Sequence, residues 1–243
     1  TLPANYQPGT VTFAQGYEAD VAPRPSGSNN GSVTVTDWVQ MGRFVANLDT
    51  VDLGSEFQRA DCAPRDSKGN GVLSVTDLTQ AGRYAAGLDP VVTAGGPTSP
   101  TVNAAAGVRL AAVGETARLM QLSPRAGEPG SYAVEFISQG GENAFGFSLR
   151  YDPARMRFVS AMLGTDTLPA TLTVNAEQSG VLGVVLALPA GKALAAGARQ
   201  LLTLQFEPLA GGNLNVSFGD QPVAREVSDV HAQAVLEIGR AHV

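Results

Sequence analysis

The sequence predicts a mostly-β fold: an antiparallel β-sandwich of the jelly-roll type, preceded by a small α-helical module built on two cation-binding loops. Two observations carry this expectation. Residues 20–49 (DVAPRPSGSNNGSVTVTDWVQMGRFVANLD) and 61–89 (DCAPRDSKGNGVLSVTDLTQAGRYAAGLD) read as copies of one loop-helix unit. Beyond residue 107, apolar alternation with turn residues between the segments recurs every 8–12 residues or so, the spacing of short antiparallel strands rather than of βαβ units.

The repeats come first along the chain. Their Val-Thr-Asp triplets end at Asp37 and Asp77, an offset of 40, while the leading Asp20 and Asp61 are offset by 41 because the first loop is one residue longer. A Pro- and Gly-rich stretch, PVVTAGGPTSPTVNAAA, comes next without amphipathic period and reads as a semi-extended linker. Then come GVRLAAV, TARLMQL, SYAVEFIS, FGFSLRY, RMRFVSAML, ATLTVNA, GVLGVVLAL, RQLLTLQF, NLNVSF and a final stretch to Val243, each a candidate strand; the glycines of 187–198 make that segment a connection. The expected division is a strand segment at 1–16, a loop-helix module at 17–92, a linker at 93–106 and the sandwich at 107–243. A weaker repeat aligns Tyr6–Phe13 with Leu236–Val243, with Gly9 against Gly239. On that reading the chain opens with the last strand of an upstream sandwich, or with a donor strand able to add to another sheet.

Bulk properties narrow the function classes. The 243 residues suffice for one large or two modest domains. A formal charge of −6 without a basic cluster argues against nucleic acid and against docking on anionic membranes, and favours divalent cations. Only 16% of residues are charged, and with 28 Gly and 15 Pro the balance suits an exported, extracellular or cell-surface β-rich module. The single cysteine, Cys62, cannot form an intramolecular disulfide and is expected to be a small buried side chain. No apolar run is long enough to span a bilayer. The chain begins at Thr1 without a signal peptide, as expected of a mature or excised portion of an exported protein.

The loops suggest two calcium sites. A twelve-residue calcium loop draws oxygens from positions 1, 3, 5, 7, 9 and 12, with Gly at 6 for the turn. With Asp77 at 12, Gly71 falls at 6, Asn70 at 5, the Val72 carbonyl at 7, Ser74 at 9 and Asp66 at 1, but Lys68 at 3 cannot be a ligand. With Asp37 at 12, Gly31 falls at 6, Asn30 at 5, the Ser32 carbonyl at 7 and Thr34 at 9, but position 1 is Ser26. A second register, treating Ala-Pro-Arg and the residues just after it as an insertion, gives position 1 to Asp20 and Asp61 and is preferred because it treats both copies alike. The competing reading without metal makes Asp37 and Asp77 helix N-caps beside polar turns.

After each loop an amphipathic helix is expected, with stripes Trp38, Met41, Val45, Leu48 and Leu78, Ala81, Ala85, Leu88. Gly42 and Gly82 occupy equivalent places and would let two helix backbones approach as an antiparallel pair. Two such helices bury little, so bound cations are expected to supply much of the folding free energy.

On these motifs residues 17–92 resemble dockerin modules, and residues 107–243 resemble a cohesin-like sandwich, most clearly in FSLRYDPARMRFVS (147–160) followed by Gly164. The insertions and the absence of an acidic residue at loop position 5 depart from the dockerin pattern. The resemblance implies calcium-stabilised, non-catalytic assembly with other protein modules. It also implies partner contacts at the two residues before the closing aspartate and at a basic helix residue: Val35, Thr36 and Arg43 in one copy, Val75, Thr76 and Arg83 in the other. The bland alternative makes the valines intramodule core and the arginines solvated.

Nothing in the sequence points to catalysis. His231 and His242 stand apart from any nucleophile motif, Glu135 and Asp152 are isolated, and HExxH, P-loop, GxSxG and CxxC are all absent. Two binding functions remain. One is a scaffold, surface layer or filament segment, joining other modules or copies of itself head to tail. The other is a polysaccharide-binding sandwich with a calcium-stabilised spacer. Sugar platforms need exposed aromatics, whereas Tyr132, Phe136, Phe145, Phe147, Tyr151, Phe158, Phe206 and Phe218 mostly fall at expected core positions.

Overall fold

A computed structural model describes residues 16–24, 29–101, 118–209, 214–235 and, by backbone alone, 238–240. The expected strands at 107–113 and 6–13 lie outside the described residues, as do most of residues 1–16, Ser26 and His242.

The helical unit comes first, with α1 (Val35–Val45), α2 (Ser55–Ala60) and α3 (Val75–Ala85). Thr34 and Ser74 are the N-caps, and Asp37 and Asp77 sit at the third helical position, each closing a capping box. Both helices therefore start two residues before the aspartates that sequence reasoning placed at their N-caps, so Val35, Thr36, Val75 and Thr76 belong to first turns. The short α2 was not anticipated. Six residues are too few for a legible period, and its stability comes from burial of Phe57 and Ala60.

The glycines of α1 and α3 do not serve close backbone contact. A Cβ at Gly82 would lie 3.1 Å from Trp38 Nε1, and one at Gly42 would lie 3.7 Å from Thr173 Oγ1, so both make room for side chains. The expected stripe also loses its last member, since Leu88 is exposed; Phe44 and Tyr84 are buried instead.

Eleven strands complete the described chain: β1 (Arg118–Pro124), β2 (Ser131–Ser138), β3 (Glu142–Tyr151), β4 (Met156–Leu163), β5 (Thr171–Asn175), β6 (Val181–Ala187), β7 (Gly197–Pro208), β8 (Val216–Gly219), β9 (Glu226–Asp229), β10 (Ala234–Val235) and β11 (Ile238–Arg240). They form two sheets, one ordered β11-β1-β2-β7-β4 and the other β10-β9-β3-β6-β5, with β8 paired to β3. Pairing is antiparallel except between β1 and β11, which run parallel with Arg118 opposite Ile238. The chain is thus mostly β, a two-sheet sandwich behind a small helical unit. Its inner faces interdigitate through Phe136, Phe145, Phe147, Leu149, Leu182, Leu186, Leu204 and Phe206, all fully buried.

The β3–β6 sheet is covered on both faces. Strand β3 is buried over Glu142–Leu149 without alternation, which explains why AFGFSL reads as nearly continuous apolar text. One face meets the other sheet. The second meets the helical unit, because Ala144, Val185, Ala187 and Val223 belong to one apolar cluster with Met41, Phe44, Val75, Leu78 and Tyr84. Gly146 opens a seat there: a Cβ on it would stand 3.1 Å from Val75 Cγ1.

The stretch read as a linker is tied down as far as residue 101. Tyr17 bridges Thr93, Ala94 N–H donates to Gly16 O at 2.9 Å, and Gly54 N–H donates to Thr98 O at 2.7 Å. The start and end of the helical unit are thereby joined.

Candidate metal loops and docking face

The two loops have matching hydrogen-bond frames. In the first, Asp20 accepts from the Asn30 and Gly31 amides at 3.2 and 2.9 Å, while Asp37 accepts from Val21 and Ala22 at 3.0 and 2.8 Å and from Thr34 at 2.8 Å. In the second, Asp61 accepts from the Asn70 and Gly71 amides at 2.9 and 2.6 Å. Asp77 accepts there from Cys62 and Ala63, both at 2.8 Å, and from Ser74 at 2.9 Å. Asn30 and Asn70 each fold back to accept the amide two residues on, from Ser32 and Val72. Gly31 and Gly71 have φ of 79° and 84°, values that suit glycine at the sharp turn. Both Ala-Pro bonds, Ala22–Pro23 and Ala63–Pro64, are cis.

All four aspartates are fully buried. Burial pushes the Asp20 carboxyl above its ordinary value; its amide bonds and Arg59 oppose this, and the like charge of Asp37 adds to it. Asp77 is pushed well up by burial and then by Asp61, against the bonds from Ser74 and Ala63. Burial also raises Asp61, against bonds from Asn70 and Gly71. Each loop thus brings together two like charges with surplus lone pairs, and a hard divalent cation with oxygen ligands is the partner such a set fits. Asp20, Asn30, the Ser32 carbonyl, Thr34 and Asp37 would hold one calcium. Asp61, Asn70, the Val72 carbonyl, Ser74 and Asp77 would hold the other. Asp66 lies exposed on the turn at 65–68, with Asp61 rather than Asp66 coupled to Asp77.

Two charged residues that sequence reasoning passed over distinguish the loops. Glu18 and Arg59 occupy equivalent places, each two residues before the leading aspartate. Arg59 is buried and donates from Nε to the Asp20 carbonyl at 2.6 Å. Glu18 is fully buried, accepts from Gly95 N–H at 2.8 Å, and is pushed up to about 8, mainly by burial. Aligning the copies a little further upstream would have exposed this pair of opposite charges. Cys62 is buried as expected, and its thiol donates to the Asp77 carbonyl at 3.4 Å.

The residues matched to partner contacts separate by copy. Val75 and Thr76 are buried, and Arg83 donates from Nη1 to the Val230 carbonyl on the sandwich. Thr79 Oγ1 donates to Asn143 Oδ1 at 3.3 Å, and Asn143 spends its amide on the carbonyls of Leu188, Pro189 and Lys192. The far end of α1 is held by Asn175, which donates to the carbonyls of Ala46 and Asn47 at 3.0 Å. Val35, by contrast, is 62% exposed, and Thr36 and Arg43 are also exposed. Between α1 and β5 a groove of about 370 Å³ remains, lined by Trp38, Val39, Arg43, Leu172 and Val174.

Elsewhere, His231, Glu135 and Asp152 are exposed and separate from one another in the fold. Among the described residues no helix is long and apolar enough to cross a membrane. Phe136, Phe145, Phe147 and Phe206 are wholly buried, and no aromatic is among the exposed large apolar side chains described.

No family model matches the sequence, and no curated protein matches it. Solved structures similar to it include the sixth cohesin of scaffoldin B from Acetivibrio cellulolyticus, solved with a Cel5 dockerin mutant: 20% identity over 51% of this chain and 95% of that one, TM-score 0.42. A Coh-OlpA–Doc918 cohesin–dockerin complex from Clostridium thermocellum shows 12% identity over 51% and 94%, TM-score 0.42. A non-cellulosomal cohesin from the archaeon Archaeoglobus fulgidus shows 13% identity over 49% and 83%, TM-score 0.39.

Proposed function

We propose that this chain is a non-catalytic, calcium-stabilised protein assembly module whose helical unit docks on the sandwich of its own chain. The observation that carries the reading is the asymmetric burial of two near-identical helical faces. Val75, Thr76 and Arg83 are engaged with the β3–β6–β9 surface, whereas Val35, Thr36 and Arg43 carry the same chemistry and face solvent. A surface built twice and used once within the chain leaves a second coupler for another protein module. Calcium in both loops would hold that coupler rigid, since the helices alone bury too little apolar surface. An extracellular or cell-surface setting, where calcium is plentiful, fits this design. The polysaccharide reading has no comparable support, because the aromatics of the sandwich are its core.

The experiment is small-angle scattering and sedimentation of the full chain with calcium and with chelator. Compact particles whose self-association or capture of sandwich modules disappears on chelation support the proposal. Identical behaviour in both conditions would refute it.

A further inference from the structure

The sandwich reaches into the neighbourhood of one metal loop only. Glu226, on β9, lies opposite Gly146, the residue on which Val75 is seated. Its half-buried carboxylate accepts hydrogen bonds from the Ser74 hydroxyl and the Val75 amide, at the start of α3. Ser74 is also the position-9 oxygen of the second loop, and the Glu226 charge is felt by Asp77. Among the described residues no lysine or arginine forms an ion pair with Glu226. The equivalent residue of the first loop, Thr34, is exposed and meets only its own loop and helix.

We propose that Glu226 couples calcium loading of the second loop to docking of the helical unit, and that the first loop stays outside this coupling. The sign comes from Coulomb's law. With the loop empty, docking presses a third carboxylate against Asp61 and Asp77, and like charges in a partly dry site repel. With a divalent cation in place the pair is neutralised, and Glu226 becomes an outer carboxylate that favours the ion. Docking and loading must then promote each other by the same factor. The hydrogen bonds from Ser74 and Val75 give Glu226 its position, so it is a positioning residue outside the inner ligand set. The inference rests on the calcium reading of the loops and gives it a regulatory consequence: calcium at one of two similar sites decides whether the helical unit is held in place.

The test uses the full chain stripped of metal, comparing wild type with Glu226→Gln, whose amide oxygen still accepts hydrogen bonds. Calcium is titrated by calorimetry while the emission of Trp38, which lines the groove beside β5, reports docking. The expected result is affinity at least about fivefold weaker at one of two sites, within the range of ordinary coupling, with the other unchanged. In chelator the variant should be better docked than wild type, the reverse of what loss of a simple cap would produce. Two unshifted sites, two equally weakened sites, or undocking of the variant to the same extent with and without calcium would overturn the coupling alone. No heat in wild type would overturn the calcium reading beneath it. If Glu226→Gln does not fold, Asp61→Asn and Asp20→Asn in saturating calcium decide: the first should red-shift Trp38 and the second should not, and equal shifts reject the inference.

Discussion

The two repeats share a hydrogen-bond frame and a capping box, yet they live in different surroundings. In the first copy, Asp20 lies against Arg59, Thr34 faces water and Val35 is bare. In the second, Asp61 lies near Glu18, Ser74 meets Glu226 and Val75 is inside the core. The difference teaches that the loop-helix unit is specified locally, by residues within about fifteen positions of one another. Its thermodynamic weight is assigned by whatever packs on it. Copy two carries the docking, while copy one carries the spare surface.

The comparison makes graded predictions. The largest effect belongs to what the copies share: Asp77→Ala and Asp37→Ala each strand three backbone amides and should each cost about 3–5 kcal/mol, read by chemical denaturation of the helical unit. Equal losses from the two would show that the frame is local; a loss confined to Asp77 would show that it depends on the sandwich. Next comes Val75→Asp, which places a charge in the apolar seat over Gly146 and should undock the helical unit at a cost of about 3 kcal/mol or more. Val35→Asp should stay within about 0.5 kcal/mol, with Trp38 emission separating the two.

Metal removal ranks third. Chelation should lower helical-unit stability by about 2.7 kcal/mol for each site formerly at a hundredfold excess over its Kd, visible as a shifted first transition in calorimetry.

The smallest effect concerns the ion pairs closing each helix. Arg83–Asp89 and Arg43–Asp49 are both 2.7 Å, but the first is the more enclosed. Each aspartate is held down to about 2, mainly by its arginine bond, from the ordinary 3.8. A carboxyl whose folded pKa is depressed stabilises above its unfolded value, and that contribution fades as pH falls from about 4 toward 2. Asp89→Asn should therefore cost about 1 kcal/mol at neutral pH and almost nothing near pH 2. Asp49→Asn, whose partner is largely solvated, should cost only a few tenths at either pH. Urea melts at the two pH values give the comparison.

Much of this was legible from residue text because its causes are local or periodic. The repeats declare themselves by spacing, the capping aspartates by their place before an apolar stripe, and the strands by alternation between turn residues. Where sequence reasoning missed, longer-range packing was responsible. The α2 helix is too short to show a period. The parallel β1–β11 pair joins opposite ends of the sandwich, and no local pattern encodes strand direction. The stretch to residue 101 is Pro- and Gly-rich because it must run closely along the loops, where a Cβ at Gly96 would strike the Lys68 carbonyl at 1.9 Å.

By itself the sequence determined the class of the chain, the duplicated loops and the candidate ligands, because each rests on short-range sterics, hydrogen bonding and burial period. Only the tertiary structure decided which copy is buried, which sheet face it covers and which distant carboxylates stand beside each loop. Two nearly identical faces have nearly identical local energies, so nothing in either copy's text can break the tie. It is broken by a distant part of the chain, where Ala144, Gly146, Asn143 and Glu226 fit one copy's setting and leave the other in water.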